Sequence, residues 1–327
     1  MKKRLIFLAL AAIGLASCNG GLKKADGGML YNIIVDKAGP SIKPGDFVSI
    51  NFIIKNDADS VMASSYEMGH QVPQLIPKAT KKGDIFTGLS LLSEGDSAII
   101  KINIDSVSKG APRDKNIKGK YVQYIIKVEK VIAKGNLSDQ VFQGRYKAYM
   151  QTLTDVAKKE EPIKIKKFIA DNKLKVTTTA TGLNYAINAQ GTGIKPVAGD
   201  TVVVNYTGKF LSGKVFDTSI KSEALKAKIA VNPMNPYKPI RFPLGVAGMI
   251  PGWNEGLFLF NKGTKATLVL PSSLAYGEQG YQQIQPFTPL VFDIELVDVI
   301  HPNPNAPKPV VPAMPGAPQG NVRPVKK

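Results

Sequence analysis

The side chains suited to covalent chemistry are few and poorly placed for it. The two histidines, His70 and His301, lie far apart, and the one cysteine is Cys18. A single cysteine forms no internal disulfide and no thiolate cluster for zinc or iron–sulfur. Two isolated histidines without ligand partners do not make a metal centre. Ser272 and Ser273 are adjacent, yet residues 181–300 hold no histidine to activate them and no GxSxG turn. What remains is aromatic. The single tryptophan, Trp253, lies in PGWNEGLFLF (251–260). Pro251 suits the first position of a helix, which puts Trp253 in its first turn and turns Leu257, Phe258 and Phe260 toward a sheet. A tryptophan placed there, after Gly252, serves either as plain core or as the floor of a shallow pocket.

The elements that must position this tryptophan are strands. Alternating or continuous apolar runs occur at FVSINFII (47–54), SAIIKINI (97–104) and KYVQYIIKVEKVI (120–132), and again at DTVVVNY (200–206), KATLVLP (265–271) and PLVFDIELVDVI (289–300). Between the two groups the period changes. Phe142, Tyr146, Tyr149, Met150, Leu153 and Val156 recur at helical spacing behind Ser138 as an N-cap. Pro162 then starts a second helix carrying Ile165, Phe168 and Ile169 and ending near Asn172. This helical stretch reads either as an amphipathic connector or as a dimerisation helix, so a homodimer is one expected assembly.

The two groups of strands echo each other in order. GIKPVAGDTVVVNY (193–206) repeats PSIKPGDFVSINF (40–52), NKGTKATLVL (261–270) repeats SEGDSAIIKI (93–102), and VFDIELVDVI (291–300) repeats QYIIKVEKVI (123–132). Two copies of one antiparallel module are expected.

The termini differ in character. Lys2, Lys3 and Arg4 precede the apolar run LIFLALAAIGLA (5–16), which falls short of the roughly 20 residues of a spanning helix. The run Leu15-Ala16-Ser17-Cys18 resembles a bacterial lipobox, the alternative being an ordinary secretory peptide. The resemblance implies cleavage after residue 17 and a lipid on Cys18, holding the protein to a membrane without a spanning helix. Segment 18–28 then reads as a flexible tether, and the Pro-rich, acid-free segment 301–327 as a disordered or polyproline-like basic tail. With 43 Lys+Arg against 25 Asp+Glu the net charge is +18. The charge is spread along the chain without an aromatic-laced basic patch, which argues against nucleic acid as a partner. The expected organisation is a signal peptide (1–17), the tether (18–28), a first domain (29–135), a helical linker (136–180), a second domain (181–300) and the tail (301–327). No acidic cluster follows Cys18, so the expected place is the cell envelope, on the periplasmic face of an outer membrane if the source is Gram-negative.

Five strings of the second copy, VVVNYTG (202–208), GKVFDTS (213–219), MIPGWNEGLFLFNKG (249–263), KATLVLPSSLAYGEQG (265–280) and IQPFTPLVFDIEL (284–296), come in an order that resembles FKBP-type peptidyl-prolyl cis/trans isomerases. The resemblance implies an α+β fold, a twisted antiparallel sheet wrapped around a short helix, present twice with a helical linker. It implies a pocket in which Trp253 is the floor under a prolyl ring, Tyr206, Phe216, Phe242 and Phe292 are walls, and Met249, Ile250 and Ile284 line the rim. It further implies that the Ile250 N–H and the Tyr276 hydroxyl hold substrate carbonyls and that Asp217 polarises the site or orients Tyr206. No cofactor and no metal are implied. The implied activity is isomerisation of X-Pro bonds in unfolded or nascent exported polypeptides, the alternative being a chaperone-like or scaffold lipoprotein that grips Pro-containing segments without turnover.

The sequence departs from the family at two places. A long segment (220–240) follows Ser219, expected to form a short helix and a Pro-rich loop, and the loop 281–287 is one residue short, with Gln285 in place of a proline. In the first copy the echoes put Phe52 at the Tyr206 position, Met62 at Phe216, Ala63 at Asp217, Lys82 at Ile250, Asp84 at Gly252, Ile85 at Trp253 and Ser108 at Tyr276. That copy is expected to keep the scaffold and lack the activity.

Overall fold

A computed structural model describes residues 21–108, 119–229, 236–246 and 248–302. Residues 1–17, read above as a signal peptide, Cys18 and the residues beyond 302 lie outside these residues, as does the middle of the 220–240 insertion. The chain divides into two compact units that part near residues 142 and 143. Both are α+β.

In the first unit the strands are β1 (Lys23–Lys24), β2 (Leu30–Val35), β3 (Phe47–Asn56), β4 (Val61–Ser64), β5 (Val72–Leu75), β6 (Ser97–Asn103) and β7 (Tyr121–Ile132). They form one antiparallel sheet ordered β1-β2-β6-β7-β3-β4, with β5 also on β3. Short helices α1 (Ser65–Met68), α2 (Ile85–Leu89) and α3 (Ile104–Ser108) intervene. Alternation fixes which face is buried: in β6, Ala98, Ile100 and Ile102 point inward and their neighbours do not. Met29, Leu89 and Val128 join them in the core.

Segment 18–28, read above as a tether, is in part a piece of this unit. Lys23 and Lys24 pair with Tyr31 and Leu30, and Ala25 packs on the core. Gly27 and Gly28, at φ 66° and 72°, turn the chain tightly against the Lys82–Gly83 backbone, where a Cβ on Gly27 would lie 2.0 Å from the Lys82 carbonyl oxygen. That close approach to a remote segment does not show in a short Gly-rich string.

The helical stretch forms a single helix, α4 (Asp139–Asp171), with Pro162 inside it. Two helices meeting at Pro162 were expected, because a proline removes one N–H and favours a first-turn position. The helix continues because its last three turns are held from outside: Ile165 is buried with Val269 and Val291, and the buried Glu161 is hydrogen-bonded to Ser272.

The second unit repeats the first. Its strands are β8 (Thr177–Thr178), β9 (Asn184–Ala189), β10 (Thr201–Phe210), β11 (Val215–Thr218), β12 (Ile240–Pro243), β13 (Lys265–Leu270) and β14 (Leu290–Ile300). Strand β8 lies in the stretch assigned above to the linker. The sheet runs β8-β9-β13-β14-β10-β11, with β12 on β10, the same order as the first. Helix α5 (Lys221–Lys226) begins the insertion, and α6 (Pro251–Leu259) lies on the sheet. Pro251 opens α6 as the sequence predicts. Gly252 and Gly256 let it approach closely, since a Cβ on Gly252 would come within 2.5 Å of Leu270, and one on Gly256 within 3.2 Å of Leu268.

Candidate functional site

Strand β10 supplies Tyr206 and β11 supplies Phe216 and Asp217. Strand β12 supplies Phe242 and β14 supplies Phe292. Met249 and Ile250 precede α6, which carries Trp253, while Tyr276 and Ile284 sit on the connection between β13 and β14. The structure brings nine of the ten expected positions to one core cluster: Trp253, Phe242, Phe292, Ile250 and Ile284 are buried in it, and Tyr206, Phe216, Met249 and Tyr276 pack against it half-buried. Asp217 lies at its polar edge, bonded to Tyr206.

Trp253 is the hub of the rings. Tyr206 meets it edge-on at 5.2 Å between centroids, Phe292 edge-on at 5.3 Å, and Phe242 tilted at 6.0 Å. Phe216 stands edge-on to Phe292 at 5.8 Å. Such edge-to-face contacts set positive ring edges against negative ring faces, each worth about 0.5–1.5 kcal/mol beyond area burial, and they fix ring orientation. Among the described residues the buried Trp253 indole N–H meets no hydrogen-bond partner.

The polar groups are few and held. The Tyr206 hydroxyl donates to Asp217 Oδ2 at 2.6 Å, and the Thr218 N–H donates to Asp217 Oδ1 at 2.8 Å. The Tyr206 N–H donates to Ser219 Oγ at 2.9 Å, which ties β10 to the end of β11. Burial pushes the Tyr206 phenol far above its ordinary range, and the Asp217 charge together with the hydrogen bond to it pushes the same way. Burial likewise raises Tyr276, helped by Asp217 and Tyr281. Both phenols therefore stay protonated donors at neutral pH. Among the described residues the Ile250 backbone N–H donates to no protein acceptor. The result is an apolar aromatic cluster edged by two phenol O–H groups, one carboxylate and one amide donor that meets no protein acceptor among the described residues.

Three contributors escaped the reading of the sequence. Gly208 leaves room for the rings, since a Cβ there would lie 2.7 Å from Phe216 and 2.9 Å from Phe292. Its place in VVVNYTG was the available signal. Phe210 backs Phe216 at 5.2 Å, and Tyr281 stacks on Tyr276 at 5.4 Å and 15°. Tyr281 lies in the shortened loop, where nothing in the sequence fixes its direction.

Residues 192–297 match the family model described as FKBP-type peptidyl-prolyl cis-trans isomerase. The chain is 37% identical over 179 residues to "FKBP-type peptidyl-prolyl cis-trans isomerase FkpA" of Escherichia coli (strain K12), a match covering 51% of this chain and 59% of that protein. It is 41% identical over 143 residues to "Probable FKBP-type peptidyl-prolyl cis-trans isomerase FkpA" of Neisseria meningitidis serogroup B (strain ATCC BAA-335 / MC58), covering 43% of this chain and 46% of that protein. The crystal structure of FkpA from Escherichia coli matches with 38% identity over 51% of this chain and 75% of that one, at a TM-score of 0.40. The chain spans less than two thirds of the length of these curated relatives. The residues matched by the family model lie wholly in the second unit and include all ten positions around Trp253, so the chain carries at 192–297 a domain of the FKBP-type peptidyl-prolyl cis-trans isomerase family.

Proposed function

We propose that this chain is a peptidyl-prolyl cis/trans isomerase that assists the folding of exported envelope proteins, with the pocket around Trp253 as its active site. Rotation about a peptide bond meets a barrier of about 18–20 kcal/mol from amide resonance. An X-Pro bond populates both isomers and exchanges over tens of seconds. Twisting the bond to the perpendicular removes resonance and reduces the charge separation across the amide. An apolar aromatic wall therefore favours the twisted state over the planar one, and catalysis needs neither a nucleophile nor a cofactor.

In this reading the prolyl ring rests on Trp253 between Tyr206, Phe216, Phe242 and Phe292, with Met249, Ile250 and Ile284 at the rim. The Ile250 N–H and the Tyr276 hydroxyl hold flanking carbonyls. Asp217 fixes Tyr206 and supplies the one charge. The observation that carries the reading is the chain of ring contacts Tyr206–Trp253–Phe292–Phe216, with the Tyr206 hydroxyl bonded to Asp217.

The test is a proline-isomerisation assay on the full chain and on the Asp217→Ala, Tyr276→Phe double variant. Wild-type turnover that falls by about tenfold or more in the variant, roughly 1.4 kcal/mol of transition-state stabilisation, supports the assignment. Unchanged turnover sinks it. A wild type that binds prolyl peptides without turning them over is instead a chaperone-like or scaffold protein for Pro-containing segments.

Placement at the envelope rests on the sequence Leu15-Ala16-Ser17-Cys18. Incorporation of labelled fatty acid into the wild type and not into Cys18→Ser is expected, and equal labelling or none rejects the anchor. Clients in this reading are unfolded or nascent exported polypeptides. A homodimer through the apolar stripe of α4 is a further part of the proposal, to be read from sedimentation of the full chain.

A further inference from the structure

The pocket's tyrosine Tyr276 is carried on no strand or helix. It follows a single turn of 3-10 helix, Ser272–Leu274, on the connection from β13 to β14. Its place depends on how that connection is pinned, and the pin lies outside the pocket. Glu161, on α4 and buried to about nine-tenths, accepts hydrogen bonds from both the backbone N–H and the hydroxyl of Ser272, the latter at 2.9 Å. The Ser272 carbonyl in turn accepts from the N–H of Ala275 and of Gly277, each at 2.8 Å, so the two residues flanking Tyr276 both hang from Ser272. The connection is gripped again farther on: the Lys158 ammonium, one helical turn before Glu161, lies 5.4 Å from the centre of the Phe287 ring, and the Phe287 N–H donates to the Gly277 carbonyl. A third anchor follows one turn after Glu161, where Ile165 packs on Val269 and Val291.

A buried carboxylate is costly unless its oxygens are satisfied, and both partners of this one are on Ser272. Lys164 pairs with Glu160 instead. The Ser272 hydroxyl is occupied as a donor to Glu161, whose other oxygen is held by the backbone N–H of the same residue. The arrangement uses the charge to hold a loop.

We infer that Glu161 is a positioning residue of the isomerase pocket, acting through Ser272 on the Tyr276 hydroxyl. The inference rests on the reading of the pocket as a prolyl site. Without Glu161 the Ser272 N–H is left buried and unpaired, and the turn carrying Tyr276 loses its fixed end. A hydroxyl displaced by a fraction of an ångström holds its carbonyl poorly in the transition state, while the ring floor at Trp253 keeps the substrate bound.

The test is a double-mutant cycle in the isomerase assay on the full chain. Glu161→Ala is expected to lower kcat by about tenfold with KM changed by less than about twofold. In a Tyr276→Phe background the same substitution is expected to change kcat by less than about twofold, because the hydroxyl it positions is already gone. Glu161→Gln, which can still accept from the Ser272 N–H, is expected to restore most of the rate. Equal loss in both backgrounds means a general structural role and overturns the inference, as does no loss at all. Should Glu161→Ala fail to fold, Ser272→Ala keeps the backbone contact and removes only the hydroxyl. A two- to threefold loss that vanishes in Tyr276→Phe supports the inference, and an additive loss overturns it. Binding of a blocked tetrapeptide containing Leu-Pro, read by the fluorescence of the single tryptophan, separates the two levels. A wild type that neither binds nor turns over this peptide defeats the isomerase reading itself, whereas an active wild type with an additive cycle defeats only the role of Glu161.

Discussion

Tyr206 pairs with Ile294 across β10 and β14, and in the first unit Phe52 pairs with Ile126 across β3 and β7. The agreement runs through both sheets. The register shift between Ser49 and Ile50 recurs between Val203 and Val204, and the one between Ile54 and Lys55 recurs between Gly208 and Lys209. Gly88 presses on Ile100 as Gly256 presses on Leu268. With strand order and register shared, the side chains differ around Trp253. Asp217 is answered by Ala63, Phe216 by the exposed Met62, Phe242 by Gln74, Phe292 by Tyr124 and Gly208 by Ile54. Helix α2 has five residues where α6 has nine, and Ile85 takes the place of Trp253. The first unit keeps the sheet order and register without these side chains, so the scaffold does not depend on them.

Gly208 offers the most direct way to break the comparison. In Gly208→Ile it receives the side chain that the first unit carries there. The new Cβ alone lies within 3 Å of Phe216 and Phe292, so the two rings must shift. Overpacking of this kind costs about 1–3 kcal/mol of stability. Isomerase activity is expected to fall by more than about tenfold, with loss of the blue-shifted emission of Trp253. Retained activity would mean that Phe216 and Phe292 do not form the working wall.

A second difference lies at a shared buried aspartate. Asp46 accepts from the Lys43 N–H and the Lys134 N–H, each at 2.8 Å, while its own carbonyl accepts from Ile76. Its counterpart Asp200 accepts from the Val197 N–H at 2.9 Å, and its carbonyl accepts from Leu244. The residue corresponding to Lys134 is Pro302, which has no N–H. The missing donor is replaced by a side chain, His301 Nδ1, at 2.7 Å from Asp200 Oδ1. His301→Ala is expected to destabilise the second unit by about 1 kcal/mol, the net value of one hydrogen bond, and to leave the first unit unchanged. Denaturant unfolding followed by Trp253 fluorescence reads the second unit alone, because the chain has one tryptophan. No shift in that transition would show that solvent satisfies Asp200 equally well.

Much of this was legible in the sequence where the signal is periodic. Apolar runs gave β6, β7, β13 and β14 to within a residue and the first part of β3 and β10, which run on to Asn56 and Phe210. Their echoes matched Phe52 to Tyr206 and Ala63 to Asp217 as the sheet registers do. Pro251 marked the start of α6. What stayed hidden depends on contacts distant in sequence. Glu161 and Ser272 are polar residues far apart along the chain, and neither carries a pattern that points to the other. Pro162 reads as a helix start because local propensity knows nothing of the anchors that carry α4 through it. The turn at Gly27 depends on the backbone of Lys82.

A last difference, of similar size, concerns how the two central helices begin. Asp84 caps α2, accepting from the Thr87 N–H at 2.9 Å, whereas α6 begins behind Ile250 with no side-chain cap and relies on Pro251. Burial tends to raise the Asp84 carboxyl, but the N–H groups of Thr87, Lys81 and Thr80 and the Thr87 hydroxyl outweigh it, and the net shift is downward. A folded-state pKa below the unfolded one, near 3.9 for a free Asp, gives stability that is fully present above that value. It is lost as pH falls through the folded-state pKa. Asp84→Ala is expected to cost the first unit about 1 kcal/mol at neutral pH. Asp84→Asn keeps the cap, costs less, and removes this group's share of the acid sensitivity. Hydrogen exchange of the α2 and β6 amides at neutral and acid pH measures both effects, with the α6 and β13 amides as the internal reference. Equal acid response in wild type and Asp84→Asn would show that the cap contributes none of it.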